Sequence, residues 1–269
     1  MARWRPSPFM QFSFGVHAAA GVGLVLAPSA WPLAVGALVA DHAALTLAGL
    51  LPRSRLLGPN LTRLPAASAA RREIALTIDD GPDPAVTPAV LDLLDAAGAR
   101  ATFFCIGRRA AAHPALVREI VARGHAIENH SEHHWKRFST FGFQGMHAEV
   151  AAAQATLGQL TGRPPRFFRA PAGLRNPFLD PVLSRLGLRL AAWTRRAYDT
   201  RNGNPAQVLA RLAGAGRNAL AAGDILLLHD GNAARGPNGE AVILAVLPPL
   251  LARIRAAGLV PVTLGDACP

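Results

Sequence analysis

The sequence contains only two cysteines and a single lysine in 269 residues, and it has no charged side chain between Pro6 and Ala40. The two cysteines, Cys105 and Cys268, are too few for a disulfide framework, which excludes a small disulfide-stabilised fold. The formal net charge of +11 comes almost entirely from arginine. No basic and aromatic module accompanies this charge, which argues against a nucleic acid partner. Arginines near a membrane or an anionic glycolipid explain the charge equally well.

Two long apolar stretches occupy the N-terminal region, Phe9 to Ala27 and Trp31 to Leu51. Each is close to the ~20 residues that cross a bilayer as a helix. Pro28 and Pro32 mark a tight break between them. The pattern predicts an N-terminal transmembrane helical hairpin, so we interpret residues 1–64 as a membrane anchor.

A signal peptide is the competing interpretation, but a second apolar segment of full length argues against it. Asp41 and His42 in the second stretch are costly to insert unless they face each other, the partner helix or water. Arginines flank the pair of stretches and are absent from their connection: Arg3, Arg5, Arg53, Arg55 and Arg63. The positive-inside rule then predicts a multi-pass protein of the cell (inner) membrane, with its catalytic domain on the cytoplasmic face.

Beyond a linker at residues 65–72, short apolar runs alternate with helical patterns over residues 73–269. The predicted strands are Glu73–Ile78, Ala101–Ile106, Ala126–Asn129, Arg166–Arg169, Arg189–Trp193, Asp224–His229 and Val260–Thr263. The helical patterns begin at Thr87-Pro88 and continue over Pro114–Arg123, Gly145–Thr161, Pro177–Leu186, Pro205–Leu220 and Gly239–Ala257. This alternation predicts an α/β fold with a parallel sheet, closed or nearly closed as a barrel.

The most informative motif is Leu-Thr-Ile-Asp-Asp-Gly-Pro at residues 76–82, where a short apolar run delivers Asp79 and Asp80 into a Gly-Pro turn. About fifty residues later, His130 and His134 stand at i and i+4, the spacing of one face of a helical turn. Two histidines and one aspartate form a three-ligand metal site with room for water. The other aspartate is then available to accept a proton.

Three more polar residues fall at the same predicted rim. Arg169 ends the fourth predicted strand, Asp199 follows the fifth and His229 ends the sixth. The C-terminal ends of barrel strands and the loops after them are where such folds have their active sites. The shared rim is stronger evidence for an active site than any single motif. A lone Asp-Asp-Gly-Pro is most often a turn, and a lone His-x-x-x-His is most often a surface or packed pair.

Five segments resemble, in chain order, the motifs of the polysaccharide deacetylase family, carbohydrate esterase family four. They are Thr77–Pro82, His130–His134, Arg169–Gly173, Trp193–Asp199 and Leu226–His229. The likeness covers Glu73 to about Thr263. The resemblance implies a distorted (β/α)7-type barrel and metal-dependent hydrolysis of an N-acetyl, or sometimes O-acetyl, group on a sugar.

The resemblance also implies a role for each matching residue. Asp80, His130 and His134 resemble the family's metal triad, and Asp79 resembles its catalytic base. Ligation by two histidines and one carboxylate suits zinc, and also cobalt or nickel. A divalent ion held this way keeps positive charge, so it lowers the pKa of bound water and polarises the amide oxygen.

On the other side of the substrate, His229 resembles the histidine that protonates the leaving amine. Arg169 would hold Asp79 ionised, and Asp199 would raise the basicity of His229.

Three residues are predicted to contact the substrate. The backbone N–H of Ala172, which replaces the family's usual aromatic residue, would help to hold the oxyanion. Leu226 and Leu228 lie beside His229 in its motif and would supply an apolar wall of the substrate pocket.

These assignments predict a metal-dependent deacetylase of an amino sugar in a cell-envelope polysaccharide or a lipid-linked glycan. The expected partners are that glycan or glycolipid and the membrane, while the oligomeric state is not readable. One alternative is hydrolysis of another small amide, such as formyl, on a glycolipid. A second is a non-catalytic glycan-binding membrane protein, which predicts loss of Asp79, Asp80 or His229, although all three are present.

Overall fold

An entirely parallel sheet forms the centre of the fold. The computed structural model describes residues 4–216 and 219–269. Its strands are β1 (Glu73–Asp79), β2 (Thr102–Cys105), β3 (Ala126–Asn129), β4 (Phe167–Phe168), β5 (Arg189–Leu190), β6 (Arg195–Arg196), β7 (Ile225–His229) and β8 (Val260–Val262). The strand order is β5-β4-β3-β2-β1-β7-β6, and β8 also pairs with β1. All seven predicted strands are confirmed, and β6 is an additional one.

The sheet is a half-barrel rather than a closed ring. β5 and β6 end the path of paired strands, and no ladder joins them in the described part of the chain. A segment that precedes β1 lies at this opening, because Leu61 forms a parallel bridge with Ala191 and the Thr62 carbonyl accepts a hydrogen bond from the Thr194 hydroxyl at 2.9 Å. The predicted α/β class and parallel sheet are confirmed, with an opening in place of a closed barrel.

Three helices come before β1 in the chain. The others follow it and cover the outside of the sheet. The helices are α1 (Pro8–Leu26), α2 (Trp31–Leu50), α3 (Ala66–Ala70), α4 (Thr87–Ala96), α5 (Gly107–Ala112), α6 (Pro114–Ala122), α7 (Phe143–Thr161), α8 (Leu179–Leu186), α9 (Pro205–Ala213), α10 (Val242–Ala256) and α11 (Leu264–Ala267). The predicted helix Pro205–Leu220 ends early, at Ala213, where Gly214 leaves the helical conformation. Residues 217–218 of that prediction lie outside the described residues.

Alternate side chains of the central strands enter two different cores. Leu76 and Ile78 of β1 pack with Leu226 and Leu228 of β7 beneath the helices. Leu227 lies in the cluster inside the half-barrel. Burial on both faces explains why these strands are nearly continuous apolar runs. Asp79 and His229, the final residues of β1 and β7, belong to the inner series, so their side chains are directed to the mouth of the half-barrel.

By length and composition, α1 and α2 are both able to cross a membrane, and most of their surface is exposed. A buried polar contact joins them near their midpoints. The Ser13 hydroxyl donates to Asp41 Oδ2 at 2.7 Å, and His17 Nδ1 lies 3.6 Å from the same oxygen. Asp41 therefore faces the partner helix, which is one of the arrangements that make an acidic residue tolerable in a membrane segment.

The open end of this hairpin is attached to the α/β domain at two places. Trp4 Nε1 donates to Asp180 Oδ2 at 2.7 Å. The Arg175 N–H donates to the Gly49 carbonyl at 3.2 Å, and its guanidinium bonds the Ser54 carbonyl. Gly49 is required here because a Cβ at this position would overlap the Arg175 carbonyl. Both ends of the hairpin are thus held beside the turn that follows β4.

Candidate active site

The C-terminal ends of the strands bring the predicted site residues to one rim. Asp79, at the end of β1, is in register with His229, at the end of β7. His130 and Arg169 directly follow β3 and β4, whose last residues pair with each other. Asp80 directly follows Asp79. The parallel register therefore sets two carboxylates, two imidazoles and a guanidinium around the mouth of the half-barrel.

Asp80, His130 and His134 converge on one point. His130 Nε2 lies 3.1 Å from Asp80 Oδ1, and His134 Nε2 lies 3.2 Å from the same oxygen. The ring of His130 is oriented by its Nδ1, which is 2.8 Å from the Arg169 carbonyl. The Asn232 side chain donates to the other Asp80 oxygen, Oδ2, at 2.8 Å. Hydrogen bonds from such neighbouring groups to the ligand side chains commonly fix metal ligands in place.

These three residues fit a divalent cation. Asp80 Oδ1 is buried and has no hydrogen-bond donor among the described residues. Burial opposes ionisation of Asp80, but the close approach of the His130 ring, with the charges of His229 and His134, holds the pKa of its carboxyl far below the usual range. Burial, with the charge of His130 adding to it, lowers the pKa of His134 to about 4. At neutral pH the carboxylate is ionised and the His134 imidazole is neutral, the forms that bind metals.

The two histidines do not share a helical turn, so that part of the sequence interpretation is wrong. Residues 130–134 form a loop, in which Ser131 has φ 64° and His134 has φ 54°. The loop is held by Ser131, whose Oγ accepts from the His134 N–H at 3.0 Å. Left-handed residues turn the chain back on itself, and this brings both imidazoles to Asp80 without a helix.

Asp79 stands beside the triad and is held by a buried arginine. Arg169 Nη1 donates to Asp79 Oδ1 at 2.6 Å, while its Nε and Nη2 donate to the carbonyls of Ala191 and Ala192 at 3.1 and 2.8 Å. Asp79 Oδ2 lies 3.8 Å from His130 Nε2. A buried ion pair is tolerated only when its remaining donors and acceptors are satisfied, and Arg169 meets this condition. One oxygen of Asp79 is thus fixed and the other lies near the triad.

His229 lines the same pocket from the end of β7 and is paired with Asp199. Its Nδ1 is 2.8 Å from Asp199 Oδ1, and its backbone N–H donates to Asp199 Oδ2 at 2.7 Å. Burial alone lowers the pKa of His229, but the hydrogen bond and charge of Asp199, with the charges of Asp80 and Asp79, outweigh it and raise the pKa to about 9. The imidazole is therefore protonated at neutral pH and can serve as an acid.

Asp79, His229 and the triad line a pocket of about 270 Å³. Its walls include Ala172, as predicted, together with Trp193 and Leu227. The Ala172 N–H has no acceptor among the described hydrogen bonds, which leaves it available to a ligand.

The prediction that Leu226 and Leu228 form the apolar wall is wrong. Both lie in the core beneath the helices, and Leu227 lines the pocket. The reason is the two-residue alternation of a strand, which places a residue on the face opposite to its neighbours.

Backbone strain concentrates around this pocket. Besides the loop of the two histidines, Asp80 has φ 75°, Ala172 has φ 55° and Tyr198 has φ 59°. Left-handed conformations are costly for residues with a Cβ and persist only where surrounding contacts enforce them. Of the non-glycine residues described with positive φ, Arg72 alone lies away from these loops.

The sequence did not predict two residues that hold the site together. Asn232 holds Asp80 from the turn after β7. Arg109 of α5 donates to the carbonyls of Asp80 and Gly231, both at 2.8 Å, and joins the two turns. The proximity of Asn232 to the predicted acid in the sequence was a usable signal, whereas nothing in the sequence marks Arg109.

A second group with ligand-type atoms, His17, Asp41 and His42, lies between α1 and α2. Both of its histidines are exposed, and only Asp41 is buried. Asp79 and His229 share a pocket with the rim triad, so the rim is the candidate active site.

Comparison with known proteins identifies relatives of the α/β domain. Residues 66–191 match the family model described as polysaccharide deacetylase. A chitooligosaccharide deacetylase of Azorhizobium caulinodans is 36% identical over 159 residues, which are 59% of this chain and 73% of the relative. A peptidoglycan-N-acetylglucosamine deacetylase of Bacillus cereus is 34% identical over 179 residues, 66% of this chain and 81% of the relative.

A solved structure agrees with these matches. A family 4 carbohydrate esterase from Streptomyces lividans, in complex with acetate, has a TM-score of 0.62 at 30% identity and covers 70% of this chain and 91% of its own. The segment matched by the family model includes Asp79, the triad and Arg169. Asp199 and His229 lie beyond that segment, so their assignment to the site depends on the geometry of the rim.

Proposed function

This chain belongs to the polysaccharide deacetylase family, and on that basis we propose that it removes the N-acetyl group from an amino sugar of a chitooligosaccharide, a peptidoglycan strand or a lipid-linked precursor. Hydrolysis adds the hydroxyl of water to the acetyl carbon and a proton to the nitrogen, and it releases acetate and a free amine. The observation that carries the proposal is the placement of Asp79, His229 and a three-ligand cluster around one pocket. The names of the relatives give the substrate class.

The residues of the rim divide the proton transfers between them. Asp80, His130 and His134 would hold a divalent ion, which we propose to be zinc, and such an ion polarises an amide carbonyl and acidifies water. Asp79, held by the hydrogen bond from Arg169, accepts the proton of the attacking water. His229, kept protonated by Asp199, donates to the nitrogen as the C–N bond breaks. The Ala172 N–H is available to the carbonyl oxygen as negative charge develops on it.

We also propose that α1 and α2 anchor this domain in the cell membrane, with both hairpin ends on the cytoplasmic side. The exposed apolar surface of both helices supports the anchor, and the flanking arginines support the orientation. A reporter fused after Leu64 that is active only outside the cytoplasm would contradict this topology.

The deacetylase proposal is tested on the full-length protein in non-ionic detergent with N-acetylglucosamine oligomers. We expect equimolar acetate and amine, loss of both on chelation, and recovery when a divalent metal is restored. Asp79→Asn should lose turnover, whereas the matched control Asp92→Asn, at an exposed carboxylate of α4, should keep it. Release of formate from a formylated sugar, with no acetate from acetylated ones, would favour the alternative amide. Failure of the folded, metal-loaded protein on every glycan would overturn catalysis.

A further inference from the structure

A groove lies beside the active-site pocket, next to the end of α2. It has a volume of about 700 Å³ and is lined by the segment 51–56 on one side and by Trp193, Arg196 and Tyr198 on the other. Trp193 and Arg196 also line the pocket that contains Asp79. The groove and the pocket are therefore neighbours that share two wall residues.

The end of the hairpin is fixed tightly against the groove. At Gly173, in the turn after β4, an added Cβ would lie 2.7 Å from Pro52 and 2.6 Å from Trp193. Pro52 belongs to the segment that leaves α2, and Trp193 to the pocket wall. Any ligand held in the groove is thus placed at a fixed distance from the reacting groups.

The charged side chains described in the lining of the groove are all positive. Arg53, Arg55 and Arg196 line it, and the described lining residues include no carboxylate. Arg53 and Arg55 are exposed, and the hydrogen bond given for Arg55 is a 3.3 Å contact with the neutral Thr62 hydroxyl. Three guanidinium groups without an acidic partner in the same groove favour an anion, and planar guanidinium groups match the oxygens of a phosphate.

Arg196 adds an independent observation. Its Nε is buried and has no acceptor within the described ranges, and its guanidinium lies 5.3 Å from the Trp193 ring and 5.0 Å from the Tyr198 ring. A buried donor without a partner is costly, so Arg196 has hydrogen-bonding capacity that no described protein group uses. Stacking on two rings orients this donor at the junction of groove and pocket.

The remainder of the groove is apolar and lies where the hairpin ends. Leu51 and Leu56 are large side chains that are 58% and 48% exposed, and they stand beside the arginines. An apolar surface next to cationic groups at the end of an apolar helix matches the boundary between the headgroups and the hydrocarbon of a bilayer.

We propose that this groove binds the phosphate that links the amino sugar to a membrane lipid. The inference rests on the proposed deacetylase function and assigns its substrate class: an N-acetylated hexosamine joined through phosphate to a lipid. The sugar enters the pocket, the phosphate lies among Arg53, Arg55 and Arg196, and the lipid chain leaves past Leu51 toward α2. The hairpin is then part of substrate recognition as well as an anchor.

The test compares three substrates with the full-length protein in non-ionic detergent: a neutral N-acetylglucosamine oligomer, soluble N-acetylglucosamine 1-phosphate, and the same sugar phosphate esterified to a polyisoprenoid. We expect the lipid-linked sugar to have the highest kcat/KM. The double variant Arg53→Gln/Arg55→Gln should lower the ratio of kcat/KM for the lipid-linked sugar to that for the neutral oligomer by at least about tenfold, through KM, since charge-assisted hydrogen bonds are lost. Arg118→Gln, at an exposed arginine of α6, is the matched control and should leave the ratio unchanged.

The outcomes separate this inference from the deacetylase function. Activity on the neutral oligomer, with a ratio that the double variant does not change, overturns the groove assignment and leaves the deacetylase intact. An equal gain from the soluble sugar phosphate shows that the groove recognises phosphate without lipid, and it also overturns the assignment. Arg196→Lys, which keeps the charge but loses the planar fork, should give a partial loss, and Arg196→Gln a larger one. Absence of deacetylation on all three substrates contradicts the proposed function itself.

Discussion

Replacing Asp199 by asparagine tests the assignment of His229 as the proton donor. The ordinary pKa of 6.5 is raised to about 9 chiefly by the hydrogen bond and charge of Asp199, against the opposing effect of burial. Asparagine keeps the size of the side chain and removes its charge. If the pKa of His229 returns to its ordinary value, the protonated fraction at pH 8 falls by roughly 30-fold, whereas at pH 6 it falls by less than about twofold. The variant should therefore be impaired much more at pH 8 than at pH 6.

The assay is the pH dependence of kcat/KM for acetate release, measured for both proteins with the same metal occupancy. Activity of the unmodified protein should decline as the pH rises through the pKa of His229, and Asp199→Asn should shift this decline to lower pH. A bound cation repels the imidazolium, so both declines lie below their metal-free positions, but the displacement between them keeps its sign. An equal loss at pH 6 and pH 8 would show that Asp199 only orients His229, and would refute the electrostatic argument.

The same pair has a signature in stability. Because the folded-state pKa of His229 is raised, its contribution is fully present below pH 6.5 and is lost as the pH rises through about 9. The shift corresponds to about 3 kcal/mol in the free energy of unfolding of the metal-free protein. Denaturant titrations at pH 6 and pH 9.5 should show this difference in the unmodified protein and a much smaller one in Asp199→Asn.

Three further predictions concern single positions. His134→Ala should lose both metal, by elemental analysis, and turnover, whereas Asp79→Asn should retain metal and lose turnover by a factor of about 10² to 10⁴; equal metal loss in both would contradict the assigned roles. Asn232→Ala should weaken metal affinity by about 10- to 100-fold in a competition titration with a chelator, because Asp80 loses its hydrogen-bond donor. Leu226→Ala should cost about 2–5 kcal/mol in unfolding experiments with an unchanged KM, whereas Leu227→Ala should change KM, and the reverse pattern would contradict the side-chain alternation.

The strands and the order of the fold were readable from the sequence because each long strand is an apolar run bounded by polar turns. β6 was not readable, because Arg195 and Arg196 carry no strand signal of their own. They become a strand only because β7 offers its edge, where Arg195 pairs with Leu226.

The positions of Asp79, Asp80, His130 and His229 at the rim were also readable, because each lies at the end of a strand or directly after it. The apolar wall was misassigned by one residue, although the correct choice was implicit: once His229 faces the site, alternation places Leu227 on the same side and its neighbours on the other. The loop of His130 and His134 shows a different limit. A spacing of four residues is compatible with a helical turn, and only the hydrogen bonds of Ser131 and the register of β3 decide for a left-handed loop.

Counting charges at the rim indicates which state of the reaction the site is built to stabilise. Asp79, Asp80 and Asp199 supply three carboxylates, while Arg169 and the protonated His229 supply two positive charges. The buried set therefore carries one negative charge in excess, which is unfavourable in a region of low dielectric constant. Binding of a divalent cation by the triad would change the excess to one positive charge. During attack by water the proton moves to Asp79 while negative charge develops on the amide oxygen, so the net charge stays the same but the negative charge moves onto the substrate. A developing oxyanion is held by a positively charged site more strongly than the neutral amide is, which is the condition for binding energy to accelerate hydrolysis.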